Sequence, residues 1–304
     1  MTSNLLAAVI GGMPADFAGP DDDAATTRAQ MAPLHGHPLA AGTAIRMVEA
    51  GGVRCGWLST PASRPERGAA VFFHGGAFVS CDLDAYLFYA EFVADHLQVP
   101  VVTIDYRLAP EHRFPAALDD CVAAYAGLVE YGIDGGGLDP HCTIFIGDSC
   151  GGGLALATAQ AARDSGIGMP AGVVTLSGWI DLATRGYGSD GPAAPDPFIS
   201  EGFLAARARD YLGTDGDVTD ARASPARASL AGLPPLLLQV GEVDVCRLDA
   251  EHVARSARDA GTDARVDVVT DGIHGVQGLI NLGVPEAIAA WASVSRFADE
   301  VLVG

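Results

Sequence analysis

From residue 69 onward, apolar runs too short to be helices alternate with longer stretches of helical spacing. Ala69–Phe73, Val101–Asp105, Thr143–Ile146, Val173–Leu176, Leu236–Val240 and Val266–Val269 are apolar almost throughout and read as strands. Between them Leu83–Leu97, Ala116–Tyr131, Gly152–Asp164 and Asp249–Ala260 have helical length, and Pro285–Val301 follows the last strand. In Ala116–Tyr131, residues Leu118, Val122, Tyr125, Leu128 and Val129 fall near one face, and Pro115 stands where a helix start tolerates it. Strands without a polar face, alternating with helices, predict an α/β fold: a mostly parallel sheet covered by helices on both sides. Ahead of this pattern, Ala44–Glu49 and Val53–Thr60 read as strands of a hairpin turning at Ala50-Gly51-Gly52.

Two stretches break the alternation. Residues 1 to about 42 are polar, Asp-rich and punctuated by Pro and Gly, which predicts loop with one or two short helices. Leu182 to about Leu233 is rich in Gly, Pro, Ala and Asp and holds one clear helix, Glu201–Leu212, with Ser200 as its N-cap. An insertion of this size between two core strands is expected to lie as a cap over a site.

Composition narrows the function. The 304 residues carry a formal net charge of −20; all 18 basic residues are Arg, with no Lys. Such a surface repels phosphate backbones and anionic membrane faces, so neither nucleic acid nor membrane is an expected partner. Cys55, Cys81, Cys121, Cys142, Cys150 and Cys246 form no C-x-x-C pair, and no His cluster has metal-ligand spacing, so reduced thiols and no metal are expected. The apolar run Leu5 to Ile10 lacks a preceding basic residue and is too short to span a bilayer, which points to a cytoplasmic protein.

The chemistry concentrates after the strands. Gly147-Asp148-Ser149-Cys150-Gly151 is a G-x-S-x-G pentad. It follows the strand Thr143–Ile146 and opens a helix, the context a nucleophile elbow requires. There the flanking glycines remove Cβ atoms that would clash, and the helix N-terminus favours developing negative charge. Ser149 is the expected nucleophile. His74-Gly75-Gly76-Ala77-Phe78 follows Ala69–Phe73, and the amides of Gly75, Gly76 and Cys150 are the expected oxyanion donors. His74 is expected to hold this loop by a hydrogen bond.

His274, in Gly272-Ile273-His274-Gly275 just after the last strand, is the expected base; His35, His37, His96, His112, His141 and His252 lie in the N-terminal stretch, on helices or in other loops. Four carboxylates lie within reach in sequence of the final two loops. Asp267 sits on a strand, Asp271 is too close to His274 along the chain, and Asp249 is expected to cap a helix. Asp244, in the loop after Leu236–Val240, is the expected triad acid. The order Ser149, Asp244, His274 is that of an α/β-hydrolase.

These pieces together resemble the hormone-sensitive-lipase-like group of α/β-hydrolases, the bacterial family IV esterases. The resemblance is carried by His74–Phe78, Asp105-Tyr106-Arg107-Leu108-Ala109-Pro110-Glu111-His112, Gly147–Gly152, Ser177-Gly178-Trp179-Ile180-Asp181-Leu182, Leu233–Asp244 and Ile273–Gln277, and covers roughly residues 45–302. It implies a core of residues 45–181 and 234–304 and a cap built from residues 1–44 and 182–233. It implies a Ser-His-Asp esterase of short acyl esters without a cofactor, with Phe78 and Trp179 as substrate-binding residues. A lactone substrate, or amide deacetylation or acyl transfer, is the alternative on the same site, and a homodimer is compatible with the sequence. The chain departs from the group's pattern at Ala77 (usually Gly), Cys150 (usually Ala) and Leu248 (often Asp). The group also includes the plant gibberellin receptors, which bind without hydrolysing and lack the triad His; with all three residues present here, catalysis is expected.

Overall fold

The apolar runs become β1 (Ala44–Ala50), β2 (Val53–Ser59), β3 (Ala69–Phe73), β4 (Val101–Ile104), β5 (Thr143–Asp148), β6 (Gly172–Leu176), β7 (Leu236–Gly241) and β8 (Ala264–Val269). The computed structural model describes residues 2–14, 17–133, 135–183 and 195–302, so part of the inserted stretch, 184–194, lies outside the described residues. The strands form one sheet in the order β1-β2-β4-β3-β5-β6-β7-β8. From β4 onward neighbours are parallel, whereas β1 with β2 and β2 with β4 are antiparallel. The hairpin turns on Gly51 and Gly52, both with positive φ (59° and 81°), as a tight two-residue turn requires. A Cβ on Gly51 would also come within 2.0 Å of the Ala123 carbonyl oxygen.

The helices are α1 (Asn4–Gly12), α2 (Ala24–Met31), α3 (Leu87–Leu97), α4 (Ala116–Tyr131), α5 (Cys150–Ser165), α6 (Glu201–Leu212), α7 (Arg247–Asp259) and α8 (Pro285–Val301). Alternate residues of one strand serve opposite layers. Val71 and Phe73 pack in a core shared with α4, α5 and α7, whereas Ala70 and Phe72 pack against α3 and α8. This two-sided burial is why the strands show no polar face. Removing each such large side chain from water stabilises the fold by roughly 1.5–3 kcal/mol.

Three helix starts differ from the sequence expectation. A short 3₁₀ turn, Asp84–Tyr86, precedes α3, with the Ala85 N–H donated to Asp82 Oδ1 at 2.8 Å. Helix α5 starts at Cys150 and takes Gly151, Gly152 and Gly153 into its first turn; helix propensity yields here because the backbone packs too closely for side chains. Helix α7 begins at Arg247 after Cys246, so Asp249 is not a cap but a buried residue of the first turn.

The N-terminal stretch is bound to the rest of the molecule at several points. Ser3 donates its amide and hydroxyl to Glu286 of α8, at 2.6 and 2.7 Å. Arg207 of α6 is buried; its guanidinium donates to Thr27 Oγ1 at 2.6 Å and to the Asp22 carbonyl, and pairs with Asp210 at 2.9 Å. Arg28 of α2 donates to the carbonyls of Val79 (2.7 Å) and Ala109 (3.0 Å) and pairs with Glu111. No helix among the described residues is long and apolar enough to cross a membrane.

Candidate active site

In the strand order, β4 lies on one side of β3 and β5 on the other. The chain thus reverses direction across the sheet between β3 and β5, and a crevice opens there at the carboxyl ends of the strands. His74–Phe78 leaves β3 and Ser149 leaves β5 at this point, while Asp244 follows β7 and His274 follows β8.

Ser149 has φ 51° and ψ −121°, a strained conformation for a non-glycine residue. Close packing enforces it. A Cβ on Gly147 would come within 2.1 Å of the Gly151 carbonyl oxygen, and one on Gly151 within 2.0 Å of the Phe73 carbonyl oxygen. The turn delivers Ser149 Oγ to 2.9 Å from His274 Nε2, and His274 Nδ1 lies 3.0 Å from Asp244 Oδ1. A carboxylate only accepts, so Nδ1 carries the proton and Nε2 is left to accept from the hydroxyl. Asp244 is fully buried and also accepts the Cys246 N–H at 2.8 Å.

Burial alone would raise the Asp244 carboxyl, but the His274 charge and hydrogen bonds from His274 and Cys246 outweigh it and hold the group below its usual range. Burial alone would likewise lower His274; the charge and hydrogen bond of Asp244, with the charges of Asp196 and Asp148, raise it above 6.5 instead. Ser177 supports the base loop from β6, accepting the Gly275 N–H at 2.9 Å and donating to Gln277 Oε1 at 3.2 Å.

A cavity of about 260 Å³ opens over Ser149 and His274. Its apolar wall is drawn from both unusual stretches: Val9, Met13 and Met31 from the N-terminal one, Phe198, Ile199 and Phe203 from the insertion. Gly76 and Ala77 border it beside Ser149. Gly75 packs beneath them, where a Cβ would come within 2.5 Å of Asp148 Oδ2 and 2.7 Å of Tyr86 Oη. Cys150 stands at the start of α5, directly after the nucleophile. His74 is buried, stacks on Tyr106 at 4.0 Å, and its Nδ1 lies 2.7 Å from the Gly75 carbonyl oxygen within the loop. Asp148 accepts from Tyr86 Oη at 2.8 Å; burial pushes its carboxyl up to about 6 against that hydrogen bond.

Phe78 and Trp179 are not brought to the cavity. Both are buried, Phe78 stacked on Tyr211 with centroids 3.8 Å apart and 5.6 Å from Trp179, so they brace the His74–Phe78 loop from behind. The side chain of Cys150 also points away from the reacting groups. Its Sγ accepts the Phe78 N–H at 3.3 Å, and burial pushes the thiol up to about 12. Cys150→Ala is therefore expected to keep kcat/KM within about tenfold, the cost of one weak hydrogen bond. Initial rates check this; a loss as large as that of a nucleophile variant would make the thiol part of the chemistry.

The sequence does not single out Asp196, one of the chain's 38 acidic residues, which stands in an Asp- and Pro-rich stretch. Its only local signal is the turn it makes by accepting the amides of Phe198 and Ile199, at 2.8 and 3.3 Å. In the fold it accepts the backbone N–H of His274 at 2.9 Å.

Comparison with known proteins bears on the fold and the family. A family model described as alpha/beta hydrolase fold matches residues 70–278. An acetyl-hydrolase of Streptomyces hygroscopicus is 37% identical over 201 residues, covering 66% of this chain and 65% of its own length. An esterase of Acinetobacter venetianus is 32% identical over 257 residues, 84% of this chain and 82% of its own. Among solved structures, an esterase from the bacterial hormone-sensitive lipase family superposes with a TM-score of 0.86 at 32% identity, covering 100% of both chains. An esterase/lipase from an uncultured bacterium gives 0.88 at 28% identity, over 99% of this chain and 100% of its own.

Proposed function

Because the chain belongs to the α/β-hydrolase family and is an ester hydrolase of the hormone-sensitive-lipase-like kind, we propose that it cleaves short-chain acyl esters through Ser149, His274 and Asp244. The observation that carries this reading is the unbroken line of hydrogen bonds from Ser149 Oγ through the imidazole to the buried Asp244, lying at the foot of an apolar cavity. His274 Nε2 takes the hydroxyl proton as Ser149 Oγ attacks the acyl carbon, and the carbonyl electrons move onto oxygen. Backbone amides of Gly75, Gly76 and Cys150 meet that oxyanion. On collapse the alkoxide leaves with the proton from His274. Water then attacks the acyl-enzyme by the same route, and the acid is released. Residues 1–44 and 182–233 act as the cap, since both supply the cavity wall.

Cavity size sets the substrate. At about 260 Å³ it lies below the roughly 300–1,000 Å³ of drug-sized ligand sites, which suits acyl chains of roughly two to eight carbons. A series of p-nitrophenyl esters, run beside a lactone panel and an emulsified long-chain triglyceride, is expected to give its highest kcat/KM within that range. Faster turnover of the triglyceride would overturn the chain-length reading, and faster opening of lactones would move the substrate to cyclic esters.

A further inference from the structure

Asp196 belongs to the inserted stretch, yet its carboxylate ends behind the triad. Oδ2 accepts the backbone N–H of His274 at 2.9 Å and that of Val245 at 3.3 Å; Oδ1 accepts those of Phe198 and Ile199. Val245 directly follows Asp244, so one carboxylate ties the acid loop and the base loop to each other and to the cavity wall formed by Phe198 and Ile199. Burial and the Asp244 charge push the Asp196 carboxyl above its ordinary range, but all four of its partners are N–H donors, so the ionised form is the one this geometry satisfies.

We propose that Asp196 is a positioning residue that fixes the His274 and Asp244 loops in register and supplies a second negative charge to the imidazolium formed during catalysis. The inference rests on reading His274 as the base. The groups around the imidazole are Asp244 from the loop after β7, Asp148 at the end of β5 with its partner Tyr86, Asp196 from the insertion, and the Ser149 hydroxyl. The Cys246 thiol lies close to both Asp196 and Asp244. Removing one negative charge from this set favours the neutral imidazole, so the acid limb of kcat/KM moves to lower pH.

The test is kcat and KM against pH with p-nitrophenyl butyrate for the full wild-type chain, Asp196→Asn, Asp196→Glu and His274→Gln. Asp196→Asn is expected to lower kcat about tenfold, through loosened geometry, and to move the acid limb down by about one pH unit. Asp196→Glu, which keeps the charge but shifts it by a methylene, is expected to lower kcat with the limb unmoved. An Asp196→Asn enzyme within twofold of wild type, or one slowed by the same factor at every pH, would overturn the proposal. Should Asp196→Asn fail to fold, Asp196→Glu decides: an unmoved limb with reduced kcat supports the proposal, and a limb displaced downward overturns it. Wild-type activity in His274→Gln would sink the base assignment itself. An inactive His274→Gln with an unmoved Asp196→Asn limb would sink only the role of Asp196.

Discussion

Ser149→Ala is expected to reduce kcat by about 10⁶-fold, the scale on which loss of a nucleophile removes the whole acyl-enzyme route. Only Oγ is lost. The Cβ remains, so the strained turn at φ 51° is neither relieved nor worsened, and no charge leaves the buried site. His274 Nε2 loses its partner at 2.9 Å but still faces the cavity, where water reaches it. The variant should therefore melt within a few degrees of wild type while its initial rates with p-nitrophenyl acetate fall to background. A sulfonyl fluoride should add one covalent group to the wild-type chain, at Ser149, and none to the variant. Substantial residual turnover, or a label on another residue, would remove Ser149 from the mechanism.

The second large effect is expected at the acid. Asp244→Asn should lower kcat by about 10⁴-fold. Oδ1 now accepts both the His274 Nδ1 proton and the Cys246 N–H, and the carboxylate charge sustains the imidazolium. An amide group removes that charge. Turned with its NH₂ towards His274, it places the imidazole proton on Nε2, where the ring cannot accept from Ser149. Asp249 is the control, a carboxylate five residues on and equally enclosed, yet outside the hydrogen bonds joining Ser149, His274 and Asp244. Asp249→Asn should keep kcat within about tenfold and show its cost as a lower Tm, because it disturbs a buried polar group. The reverse pattern in kcat would move the acid to Asp249.

The parts of this molecule that were legible in the sequence are those fixed by backbone geometry over short distances. Strands without a polar face require two covering layers, and Val71 and Phe73 against Ala70 and Phe72 supply them. Ser149, His274 and Asp244 could each be picked out because each follows a strand at one edge of the sheet. What was not legible depends on contacts between distant stretches. Nothing near Asp196 announces that its carboxylate closes on an amide 78 residues away. Phe78 and Trp179 sit in motifs beside the site, but whether an aromatic ring faces a cavity or a neighbour depends on what fills the space behind it, here Tyr211 of the inserted stretch. Helix α5 begins two residues earlier than propensity suggests because three glycines earn their place by packing against backbone, a tertiary constraint that no local scale contains.

The bonds from Ser3 to Glu286 bear on how the molecule is made. The two residues stand 283 positions apart, and at ribosomal speeds of about 5–20 residues per second the later one follows the earlier by many seconds. Until α8 emerges, α1 has no seat for Leu6, and until α6 emerges Thr27 and Asp22 have no Arg207 to bind. The sheet can assemble strand by strand during translation, whereas α1 and α2 wait for elements encoded some 180 to 283 residues later. The part of the cavity wall that comes from Val9, Met13 and Met31 is thus synthesised well before the elements that seat it, and a ribosome stalled short of residue 286 carries a nascent hydrolase with its nucleophile turn already encoded and that side of the cavity still unanchored.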